Sequence, residues 1–103
     1  MLKTKPFDIV DHLETEKDIE EYLNAVTEEK DWAFLPVALA DIARARKGMT
    51  DAAKAAGVSR TTLYHSLSIG GHPAFETVAK VADSLGYQIT LVPKSARKQP
   101  QEG

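Results

Sequence analysis

The chain has 103 residues, 43% hydrophobic and 27% charged, a length and balance that suit one compact globular domain. It contains no cysteine, which excludes disulfide frameworks, thiolate zinc sites and thiol nucleophiles. The longest mostly apolar run, residues 32–40, is far shorter than the about 20 residues a membrane helix needs, and residues 1–6 lack the apolar stretch of a signal peptide. The expectation is a soluble, cytoplasmic, single-domain protein that works without a membrane, a metal or another cofactor.

The formal charge of −2 conceals an asymmetry. Residues 1–31 carry ten acids and four lysines, net −6, whereas residues 32–103 carry nine bases and five acids, net +4. Such a division points to two partners of opposite charge, although acids that merely solvate a surface helix account equally well for the first segment.

Residues 1–14 read as extended or irregular, with Phe7, Ile9, Val10 and Leu13 as apolar anchors. Thr15 followed by Asp18 is a weak capping box, and Ile19, Tyr22, Leu23 and Val26 repeat at helical spacing, predicting a first helix to about Lys30. Its other face carries Glu20, Glu21 and Glu28. Asp31 is the expected cap of a second helix with Leu35, Ala38, Leu39, Ile42 and Ala43 inside. There Pro36 should distort the first turn, and Arg44, Arg46 and Lys47 gather before Gly48.

Residues 50–67 make the clearest pattern. Thr50 should cap a short alanine-rich helix that Gly57 ends, Val58 drops into the core, and Ser59 caps the next helix at once. Two short helices joined by a turn of about three residues form a helix-turn-helix arrangement. Ala53 marks the close crossing, and Leu63 and Leu67 face inward. After a loop at residues 70–73, Pro73 leads a further helix with Phe75, Val78, Ala79, Val81, Ala82 and Leu85 buried and Gly86 closing it. Residues 87–92 alternate and favour a strand, which needs a partner: either its symmetry mate in a dimer or the segment around residues 7–10. Residues 93–103 read as a disordered polar tail.

Taken together, Tyr22-Leu23, Ala38-Leu39, Asp41-Ile42-Ala43-Arg44-Ala45-Arg46, Gly57-Val58-Ser59-Arg60, Leu63-Tyr64, Leu67, Gly71, Pro73, Phe75 and Leu85-Gly86 resemble the addiction-module antidote proteins, HigA-like antitoxins with an Xre-type helix-turn-helix domain. The resemblance spans about residues 7–92; His72 before the proline and Lys47 between two helices depart from the pattern. It implies a mainly α fold: a five-helix Xre/lambda-repressor-like domain over residues 15–92, with an N-terminal helical extension and one C-terminal β-strand. It also implies an antitoxin that neutralises a RelE/HigB-like mRNA-cleaving toxin and represses its own operon.

In that geometry the second helix of the motif enters the major groove. Ser59, Arg60, Thr61 and His65 are then candidates for base contacts, with Arg60 suited to a two-bond grip on guanine. Thr50, Lys54, Thr62, Tyr64, Arg46 and Lys47, with Arg44 nearby, are candidates for the DNA backbone. One copy carries few bases, so a homodimer is expected on operator DNA, with Tyr87, Ile89 and Leu91 as its interface. For a basic toxin, Phe7, Ile9 and Leu13 are candidate anchors, and Asp11, Glu14, Glu20 and Glu21 candidate steering charges, together with Glu16, Asp18 and Glu28. Core packing explains the three anchors at least as well.

No catalytic residue is expected. His12, His65 and His72 lie far apart and lack a metal-ligand partner at helical spacing, and no phosphate-cradling glycine loop is present. Two other readings use the same residues: a stand-alone prophage-type repressor without a toxin, and an interaction module that has lost DNA binding.

Overall fold

The computed structural model describes residues 7–94. Before the first long helix, residues 7–14 are not wholly extended: Ile9–His12 form a 3-10 turn, and Asp8 caps it by accepting from the Val10 N–H. Five helices follow: α1 Glu16–Glu28, α2 Leu35–Ala45, α3 Met49–Ala56, α4 Arg60–Leu67 and α5 Phe75–Ser84. No helix among them is long and apolar enough to cross a membrane. The part of the expected polar tail beyond residue 94 lies outside the described residues.

The helix ends explain most departures from expectation. The capping box at Thr15 and Asp18 is fully formed, and Asp18 also accepts from the Glu14 N–H at 3.0 Å. These backbone donors hold the Asp18 carboxyl below its ordinary range. α1 stops at Glu28 because Lys30 turns left-handed (φ 58°), so that the Asp31 N–H reaches the Val26 carbonyl and the Lys30 N–H that of Thr27. Asp31 is therefore spent on the end of α1 and does not cap α2. That helix begins at Leu35 after an uncapped Phe34, which leaves Pro36 in the first turn, where its missing N–H costs no ladder bond.

α2 ends by the same device, with left-handed Lys47 (φ 57°), not Gly48, as the terminating residue. Gly48 instead precedes α3, and Thr50 sits inside the first turn without a capping role. Gly57 and Gly86 close α3 and α5 in this way too, with φ of 77° and 92°.

The core is a single cluster of Ile19, Leu39, Ile42, Ala53, Leu63, Leu67, Val81 and their neighbours. α2 lies at its centre against α1, α3, α4 and α5, and α3 packs on α5 and α4. Three residues expected to be buried are not in it: Val58 at the turn and Phe75 at the start of α5 are exposed, the latter 71%, and Ala79 is only half-buried. Leu13, conversely, is buried there.

The strand expected over residues 87–92 is absent. Tyr87 bonds back to Ala82, but among the described residues no backbone hydrogen bond joins residues 88–92 to anything else. A strand is defined by its neighbour, and neither the 3-10 turn at residues 9–12 nor any other described segment pairs with it.

Candidate nucleic-acid interface and partner surfaces

α4 divides cleanly into two faces. Leu63 and Leu67 are fully buried, each contributing about 1.5–3 kcal/mol of burial, whereas Ser59, Arg60, Thr61, Thr62 and His65 are exposed. Ser59 caps the helix: its Oγ accepts from the Thr62 N–H at 3.0 Å and donates to Thr62 Oγ1 at 2.9 Å. Thr61 and His65 lie one turn apart on the outward face. Arg60 leans the other way, its guanidinium 5.5 Å from the centre of the half-buried Tyr64 ring.

That lean carries Arg60 to a polar depression of about 220 Å³ lined also by Arg44, Lys47, Met49, Thr50 and Tyr64. Of the expected backbone-contact residues, Lys47, Thr50 and Tyr64 thus meet beside Arg60, while Lys54 is exposed farther along α3. The end of α4 is held in place by a loop that tolerates only glycine. A Cβ on Gly71 would collide with the carbonyl oxygens of His65 and Ser66. The sequence shows only a loop there, because such a collision depends on how closely the returning chain approaches the helix.

Arg46 does not join the depression. It is a strut between elements, donating to the Leu85 carbonyl and to Glu16 Oε1 at 2.8 Å, with its guanidinium 5.6 Å from the Tyr87 ring centre. This contact also pulls Tyr87 half inside, leaving Ile89 and Leu91 as the exposed members of the expected interface.

Arg44 has the densest surroundings. Its Nη2 donates to Asp8 Oδ1 at 3.0 Å and to Asp41 Oδ1 at 3.1 Å, and its Nη1 to Asp8 Oδ2 at 3.2 Å. Asp41 is the one buried charged residue among those described, and its other oxygen accepts from the Tyr22 hydroxyl at 2.7 Å. Burial, and then this bond, push the Tyr22 hydroxyl pKa up. The two-pronged grip of Arg44 holds the Asp8 carboxyl low and keeps the guanidinium charged. The sequence places Asp41 on a helix that packs inward but offers no partner for it; Tyr22, far away in sequence, and Arg44, three residues on, supply them.

On the acidic side, Asp11, Glu14, Glu20 and Glu21 are exposed. Phe7 is 75% exposed and stacked on His12, and Ile9 is half-buried against the core. Leu13 cannot serve as a surface anchor because the core encloses it. An apolar groove of about 290 Å³ runs between α1, α2 and residues 87–90, lined by Leu23, Trp32, Leu35, Leu39, Tyr87 and Ile89.

A family model described as "Probable addiction module antidote protein" matches residues 3–93. An uncharacterized protein of Haemophilus influenzae (strain ATCC 51907 / DSM 11121 / KW20 / Rd) is 45% identical over 87 residues, covering 84% of this chain and 89% of the relative. No solved structure matches the chain.

Proposed function

The chain belongs to the family of probable addiction module antidote proteins, and on that premise we propose that it is the antitoxin of a type II toxin–antitoxin module, neutralising a RelE/HigB-like mRNA-cleaving toxin and repressing its own operon. In this reading α3 and α4 are a helix-turn-helix of Xre type. α4 enters the major groove, with Ser59, Thr61 and His65 towards base edges and Arg60 swinging from Tyr64 to a guanine. Lys47, Thr50, Lys54, Thr62 and Tyr64 take phosphates. The protein binds and does not catalyse, and it acts in the cytoplasm.

The observation that carries the DNA half of this reading is the division of α4, with its leucines inside and Arg60, Thr61, Thr62 and His65 out, beside a depression lined by three cations. A homodimer is part of the proposal, since two copies with recognition helices about 34–36 Å apart match two half-sites one turn of duplex apart. The acids exposed on the 3-10 turn and α1 suit a basic toxin by electrostatic steering, with the apolar neighbours Phe7 and Ile9 supplying affinity that exposed ion pairs do not.

Two experiments test it. Co-expression with the open reading frame adjacent to the gene should copurify a toxin whose growth arrest is relieved; failure of any small neighbour to copurify removes the antitoxin reading. A mobility shift with the gene's own promoter fragment should show saturable binding over a scrambled duplex; equal binding to both removes operator recognition.

A further inference from the structure

Arg44 stands between two surfaces. On one side it lines the polar depression with Lys47, Thr50 and Arg60; on the other it lines an apolar groove of about 470 Å³ that includes Phe7, Asp8 and Ile9. Its side chain is 33% exposed, yet its charge is countered by two carboxylates. Asp41 is a permanent partner, buried and shared with Tyr22 on the neighbouring helix. Asp8 is different in kind. It sits on the N-terminal segment, is itself 42% exposed at the side chain, and reaches Arg44 across 36 positions of sequence.

The geometry points to Asp8 as a built-in competitor of DNA phosphate: the N-terminal segment, through this carboxylate, withholds Arg44 from the depression and sets the affinity for duplex backbone. The inference rests on the DNA-binding reading above and adds to it a regulatory contact. A phosphate seated beside Lys47 and Thr50 meets an arginine whose two-pronged face is already engaged by an acceptor of the same charge. When Asp8 lets go, Asp41 still holds Nη2, so the side chain stays in place and its Nη1 face becomes available to the phosphate.

The test measures binding of the full chain to its promoter fragment and to a scrambled duplex over a series of salt concentrations. Asp8→Asn keeps an oxygen to cap Val10 but removes the charge and one of the two acceptors that grip Arg44. It should tighten binding to both duplexes about two- to five-fold, the range of one exposed ion pair, and steepen the salt slope by about one. Asp11→Asn, on the same turn without an ion pair to a described residue, controls for net charge and should change affinity less. In an Arg44→Gln background the gain from Asp8→Asn should vanish. Equal effects of the two asparagine variants, or a gain that persists without Arg44, overturns the competition while leaving DNA binding intact. Absence of binding by the unaltered protein to either duplex overturns the DNA reading itself, and the competition with it.

Discussion

Arg60 and Lys54 make the sharpest contrast among single residues. An arginine on guanine discriminates by about 1–3 kcal/mol, whereas a lysine on phosphate fixes position without reading sequence. Arg60→Ala should therefore weaken operator binding and relax preference at one position of each half-site. Lys54→Ala should weaken all duplexes alike, and binding to a panel of operator variants separates the two. Gly71 tests the frame around them: Gly71→Ala forces a side chain into the carbonyls of His65 and Ser66 and should lower stability by about 2 kcal/mol or more in urea unfolding. Titration adds a third check. Asp8 and Asp18 are both held below 3.8, so their contribution to stability is complete above that value and is lost as pH falls through the lowered one. The urea midpoint should stay level above the ordinary carboxylate range and decline as pH falls through and below it. Asp18→Asn should flatten part of that decline.

At the scale of elements, the two lysines in left-handed conformation are informative. A side chain there costs about 1–2 kcal/mol, and glycine gives back about 0.5–1 kcal/mol in the unfolded chain. Lys30→Gly should thus stabilise the protein by about 0.5–1 kcal/mol, read by urea unfolding. Lys47→Gly should stabilise it similarly but remove a cation from the depression, reducing the salt slope of DNA binding by about one. α1, α2 and α5 were legible from apolar spacing, α3 and α4 from the alanine run, the Ser59 cap and the turn between them, and Gly57 and Gly86 announced their own ends. The end near Lys30 was legible in position but not in its left-handed lysine, and the ending of α2 at Lys47 rather than Gly48 was not legible, because no local preference marks lysine as a terminator. Residues 87–92 failed for a related reason: alternation of strand-forming residues signals a capacity to pair, and pairing is settled by what lies alongside.

For the whole molecule, the same logic locates the site only in part. The exposed polar face of α4 was readable because capping, turn glycine and buried leucines all fall within one short stretch. The ion-pair centre at Arg44 was not, since its partners Asp8, Tyr22 and Asp41 come from three separate elements. Leu91 is 94% exposed and Ile89 41%, beside backbone groups that no described residue satisfies. If a second copy pairs there, Leu91→Asp should shift the sedimentation of the protein from dimer to monomer and weaken operator binding, while leaving the helical circular dichroism unchanged.

The chain has one tryptophan, Trp32, 58% exposed on the wall of the groove between α1, α2 and residues 87–90. An indole half in water emits at long wavelength and moves to the blue when it is desolvated. Whatever closes that groove, another copy or a toxin, will therefore report its own arrival in the intrinsic fluorescence of the antitoxin, without any label.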